Sequence, residues 1–206
     1  EFLSSLQYPL YFFDYETLMS LVPYFDGQKT YQQVPFQYSL HILDSPDAEV
    51  RHVEYLHRDG SNPVRPLAEK LLADIGTTGS VLVWYEGFEK ARNTELATML
   101  PEYADAMMEI NNRVVDLMVP FAQGWYVDKA FKGSASIKAV LPVLAPGLSY
   151  KDLDIQEGGS AQRLWMEAVL DGKRDSEKEQ ILSDLIEYCK LDTFAMVEIY
   201  KKLLSV

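Results

Sequence analysis

Leu10, Tyr11, Phe12 and Phe13 stand in a row near the start of the chain, and Asp14-Tyr15-Glu16 follows them directly. Four bulky apolar positions in succession predict a buried β-strand over 10–16 that ends in two carboxylates. Residues 19–31, broken by Pro23 and Gly27, read as a loop. Alternation returns over 33–44 through Phe36, Tyr38, Leu40 and Ile42, and again over 50–57 through Val53 and Tyr55. Ser45-Pro46-Asp47 between them is a turn signal, so the two segments form a β-hairpin beside the first strand. Leu67, Leu71, Leu72 and Ile75 recur at helical spacing after Asn62-Pro63 and predict a helix over 66–75. The wholly apolar run 81–85 fits an interior strand, and helices over 88–100 and 103–111 follow. Residues 114–118, with Asp116, complete the strands. The aromatic segment 119–132 has no assignable period.

Farther on, 136–144 predicts a helix capped by Ser134 or Ser136 and ended by Pro146-Gly147. A second begins at a Ser160 cap and runs to 170. The last, over 177–204, buries Ile181, Leu182, Leu185, Leu191, Phe194, Val197 and Ile199. This order predicts an α/β fold with a hairpin-started mixed sheet, its second strand antiparallel, flanked by helices. Fold class by itself assigns no activity.

The length of 206 residues and the 48% hydrophobic content suit one packed domain over 1–206. The chain opens on Glu1 rather than Met, so the expectation is a piece of a longer protein with a further domain. No apolar run reaches the length of a membrane span, and no membrane partner is expected. Cys189 is the single cysteine, which excludes an intramolecular disulfide and fits a reducing, cytoplasmic setting. The net charge of −12 argues against tight binding to long duplexes, which relies on Lys and Arg. It is compatible with gripping a few nucleotides beside bound cations.

Side chains alternate along a strand, so Asp14 and Glu16 leave the same face. Adjacent carboxylates repel and persist where a cation or shared proton compensates. The plain alternative is a strand end reaching solvent. Tyr188 and Asp192, four residues apart in the last helix, share one face. Asp192 beside a core-facing stripe needs a partner, unless it is an ordinary solvated acid with Tyr188 in the core.

Asp14-x-Glu16, Phe88-Glu89 at the head of a helix, and Tyr188-x3-Asp192 together resemble the tyrosine subgroup of the DEDD 3′–5′ exonucleases, of ribonuclease H-like fold. Pro35-Phe36-Gln37-Tyr38-Ser39-Leu40-His41 and Ser136-Ile137-Lys138 are similar to segments of a bacterial branch of that superfamily. The second motif departs from the pattern: Tyr85 stands where the family has Asn, and Glu89 where it has Asp. Glu86 is the fallback, and Glu89 is otherwise an exposed acid favoured by the helix dipole.

The resemblance implies two divalent cations, Mg²⁺ or Mn²⁺, an ion type that carboxylate oxygens select. It implies that Asp14 bridges both, that Glu16 and Asp192 hold the nucleophile side, and that Glu89 supports the leaving-group side. Tyr188 would orient the attacking water. Substrates would be single-stranded DNA or RNA 3′ ends or short oligonucleotides. Lower in rank, Lys138 meets a substrate phosphate or is a solvated lysine. Gln37 contacts substrate or pairs across the hairpin. Asp116 supports the ligand acids or caps a strand end. Tyr15, Trp84, Phe13 and Trp125 stack on bases or pack the core. His41, His52 and His57 read as exposed or satisfied histidines. Two rival readings remain: an inactive relative that binds nucleic acid or protein, and a phosphoesterase acting on nucleotides or short oligonucleotides.

Overall fold

The hydrophobic run at the start of the chain becomes the middle of the sheet. In the computed structural model, which describes residues 2–205, strand β1 (Leu10–Leu18) lies between β2 (Val34–Leu43) and β4 (Ser80–Val83). The full order is β3-β2-β1-β4-β5, with β3 at Arg51–Leu56 and β5 at Val114–Asp116. β1–β2 and β2–β3 are antiparallel, and β1–β4 and β4–β5 are parallel. The predicted α/β fold, its hairpin and its mixed sheet are therefore present. β1 runs two residues beyond the expected strand, through a register shift between Glu16 and Thr17.

The two faces of β1 are covered by different helices. Odd positions meet α1 (Val64–Asp74) and α2 (Glu86–Met99). Tyr15 donates its hydroxyl to Asn93 Oδ1 at 2.8 Å, and its cross-strand neighbour Tyr38 donates to Asp74 at 2.6 Å. Even positions meet α7 (Lys178–Leu204): Phe12 packs on Tyr200, and Ser39, opposite Asp14, bonds Thr193. With α3 (Ala104–Arg113) against α2, the sheet is buried on both sides. That explains why β1 and β2 read as nearly unbroken apolar runs.

Several boundaries differ from the periodicity. α1 begins at Val64, whose N–H is accepted by Asn62 Oδ1 at 3.0 Å, and so starts two residues early. α2 also starts two residues early, at Glu86, while Trp84 and Tyr85 leave the strand expected to hold them. The aromatic stretch holds a single turn, α4 (Val119–Ala122), and a 3₁₀ turn at Lys129–Phe131 capped by Asp128. α5 (Ile137–Leu144) has Ser136 at its N-cap without a side-chain capping bond; Ser134 Oγ instead accepts from Ser136 N. Ser160 caps nothing. It lies inside α6 (Gly158–Trp165), which Glu157 precedes, and the chain continues as a π turn over Met166–Leu170.

The largest buried side chain, Trp165, stacks on Phe36 at 4.3 Å between centroids and donates Nε1–H to His57 O at 2.8 Å. The histidines are satisfied within the fold. His41 bonds Thr193, His52 bonds Ser39, and His57 bonds Tyr55 and Ser61. Burial holds His41 down at about 3 and His52 at about 4. Among the described residues, no helix is long and apolar enough to cross a membrane.

Candidate metal centre

Strand alternation sends Asp14 and Glu16 toward α7, and the helix answers with one face carrying Tyr188 and Asp192. These four side chains line one cavity of about 260 Å³ with Trp84, Phe88 and Lys138. Cys189 lies beneath it, buried, with Sγ 3.8 Å from Asp14 Oδ2. The ligand atoms of Asp14, Glu16 and Cys189 all fall within 4.8 Å of one another.

Glu89 stands behind this cluster. It is only 2% exposed, which removes the reading of an exposed acid at a helix start. Its Oε2 is buried with no hydrogen-bond partner among the described residues. Glu86, the fallback, is instead ion-paired with Lys90 at 2.5 Å and does not line the cavity.

The acids perturb one another as buried like charges must. Burial raises Asp14 well above the ordinary carboxylate range, and the charges of Asp192, Glu89 and Glu16 add to it. Burial, with Asp192 second, pushes Glu16 up to about 8 against the opposing pull of Lys138. Burial also pushes Glu89 to about 8. Asp192 rises only to about 6, because a hydrogen bond from Tyr150 and the charge of Lys138 favour its ionised form. Lys138 opposes the rise at Glu16 and Asp192 and Arg92 that at Glu89, so two cations face four carboxyl groups and the cluster is short of positive charge.

Lys138 is not a freely solvated lysine. Its ammonium donates to Gln156 O and lies 5.3 and 5.6 Å from the rings of Tyr150 and Tyr188. The Tyr188 hydroxyl makes no hydrogen bond among the described residues, although the residue is 4% exposed, and it is open to a water in the cavity.

Other expected residues lie elsewhere. Gln37 is opposite Glu16 in register, but it is 1% exposed and donates its amide to Leu185 O at 2.8 Å, outside the cavity. Helix packing claims it, so substrate contact is corrected. Tyr15 is among the residues lining the cavity, while its ring meets Phe13 edge-on and its hydroxyl donates to Asn93. Asp116 accepts from Tyr85 N and Met118 N through Oδ1 and from Glu86 N through Oδ2. It fastens the start of α2, the helix that carries Glu89, adds its charge to the rise at Glu89, and does not line the cavity. Trp125 is exposed, edge-on to Phe2, and Phe13 is core. Trp84 lines the cavity, anchored by Nε1–H to Ala135 O.

One participant has no local signal. Tyr150, in a 3₁₀ turn over Tyr150–Asp152, donates to Asp192 Oδ1 at 2.6 Å and packs edge-on against Tyr188. No spacing in the sequence ties a loop tyrosine to an acid 42 residues away.

The family model described as "Domain of unknown function (DUF2779)" matches residues 11–136, more than half of the chain, and the chain belongs to that family. It is similar to "Uncharacterized protein MG366" of Mycoplasma genitalium, 27% identical over 206 residues, covering 91% of this chain and 31% of that protein. It is likewise similar to the MG366 homolog of Mycoplasma pneumoniae (27% identical, with the same 91% and 31% coverage). "Uncharacterized protein UU173" of Ureaplasma parvum is 25% identical, covering 91% of this chain and 30% of its own. The chain thus spans less than a third of the length of these relatives. No solved structure matches it.

Proposed function

We propose that this member of the family is a divalent-cation-dependent phosphodiesterase that removes nucleotides from the 3′ ends of single-stranded nucleic acid. The observation that carries the reading is the convergence of Asp14, Glu16 and Asp192, from two separate elements, on one cavity with Lys138, with Glu89 of a third element buried behind Asp14. Buried carboxylates left this short of positive charge are a binding site for a hard cation. The partnerless Oε2 of Glu89 and the oxygen-rich donor set both fit such an ion. Asp14, Glu16 and Asp192 would hold it, with Glu89 supporting from behind Asp14. The sheet order, with antiparallel β2 beside central β1, fits the ribonuclease H-like fold that the motifs imply. The 3′–5′ polarity rests on the motif resemblance.

Bound Mg²⁺ or Mn²⁺ supplies charge neutralisation for the attacking and leaving oxygens of a phosphodiester. The chain's own groups do the rest. The free Tyr188 hydroxyl orients a water in the cavity. The Lys138 ammonium is placed to meet a non-bridging phosphate oxygen. Trp84 and Phe88 exclude solvent from one wall. Tyr150 holds one carboxylate oxygen of Asp192, keeping that acid ionised at a lower pH than its neighbours. We place this activity in a domain of a longer, cytoplasmic protein.

The test is degradation of 5′-labelled single-stranded DNA and RNA with Mn²⁺ or Mg²⁺, comparing wild type with Asp14→Ala. A ladder shortening from the 3′ end, absent in the variant, is the expected result. Intact oligomers together with no carboxylate-dependent metal binding would sink the reading. The −12 charge favours a second substrate range, nucleotides and very short oligomers. A length series separates them: rates rising as the oligomer shortens to a dinucleotide support the second.

A further inference from the structure

Tyr85 holds a backbone conformation that its side chain disfavours. Its φ of 82° and ψ of 78° lie on the left-handed side, where glycine or asparagine is accommodated at less cost. Burial of the ring does not offset the strain, because the residue is 59% exposed.

The surroundings nevertheless hold it in place. Asp116 accepts the N–H groups of Tyr85 at 3.0 Å and Glu86 at 3.1 Å. The ring leans over Gly87, where an added Cβ would stand 3.4 Å from Tyr85 Cζ, at the tight limit of contact. Its near neighbours in sequence, Trp84 and Phe88, line the carboxylate cavity. An exposed ring on a strained backbone that Asp116 holds, beside the carboxylate cavity, fits strain retained for use.

We infer that Tyr85 is a stacking platform for a base of the strand whose end enters the cavity, and so a specificity-determining residue for nucleobase-bearing substrates. The inference rests on the phosphodiesterase reading above. Charge adds a reason. A chain of net charge −12 gains little from the phosphate backbone, and stacking on an aromatic face supplies affinity that needs no cation.

The experiment measures fluorescence anisotropy of 5′-fluorescein octathymidylate with Ca²⁺ in place of Mg²⁺, for wild type, Tyr85→Phe and Tyr85→Asn. Tyr85→Phe keeps the ring and binds as wild type does. Tyr85→Asn binds about ten-fold more weakly, the size of one lost base–aromatic stack. The difference disappears when the two 3′-terminal residues of the probe are abasic. Because asparagine relieves the strain, Tyr85→Asn melts no lower than wild type, and weaker binding is then not unfolding. Wild-type affinity in Tyr85→Asn, or a lower melting point, overturns the inference and leaves the phosphodiesterase reading standing. A wild-type protein that binds no strand at all removes both.

Discussion

Raising the pH in the presence of a chelator should destabilise this protein, and a divalent cation should reverse the effect. Glu16 and Glu89 each hold a proton up to about 8 in the folded state, for burial first and neighbouring charge second. An unfolded glutamate releases its proton near 4.3. Folded-state values raised in this way contribute stability fully below the unfolded value and lose it as pH rises toward the folded value. The window is therefore about pH 4.5 to 8. Counting one proton for the interacting set, the loss is roughly 1.4 kcal/mol per pH unit, or about 5 kcal/mol across the window.

A cation at one hundred times its dissociation constant restores about 2.7 kcal/mol, which is about 5–10 °C in melting temperature for a chain of this size. Asp192→Asn removes a charge that raises both Asp14 and Glu16, so the decline should end at a lower pH and total less, and the cation shift should shrink. The assay is urea unfolding between pH 5 and 8, in EDTA and in Mn²⁺. Stability that stays flat across this range in EDTA would refute the reasoning, as would an undiminished Mn²⁺ shift in Asp192→Asn.

Three further outcomes are expected. Tyr150→Phe removes a hydrogen bond that favours the ionised Asp192, so it should cost about 1.5–3 kcal/mol at pH 8 and less at pH 5. Equal losses at the two pH values would contradict that origin. Glu89→Gln replaces a buried, partnerless carboxylate oxygen, and should stabilise the metal-free protein at pH 9 by about 1 kcal/mol while weakening Mn²⁺ binding by calorimetry. Trp165→Ala empties the largest buried site and orphans the His57 carbonyl, for a loss of about 3–5 kcal/mol on chemical denaturation. A loss under about 1 kcal/mol would mean the site collapses around the gap.

Local periodicity made much of this legible. The apolar run of β1, the alternation of the hairpin and the long apolar stripe of α7 are consequences of chain geometry, and each is found where the sequence puts it. The same geometry sends Asp14 and Glu16 to one face and Tyr188 and Asp192 to another, because both relations lie within a few residues. At the two shifted helix starts Asn62 and Asp116 accept the first helical N–H, which apolar spacing does not register.

Tertiary structure decided the rest. Only packing of α7 across β1 brings Asp14 and Glu16 to one cavity with Tyr188 and Asp192, and only the folded chain turns Glu89 from a helix-start acid into a buried one. It also reassigned residues with more than one use. Gln37 went to the Leu185 carbonyl, Asp116 to the turn before α2, and Tyr15 to Asn93. Tyr150 joined Asp192 from a loop with no period to read. Hydrogen-bond partners distant in sequence leave no spacing signal, because which donor meets which acceptor is settled by the fold as a whole.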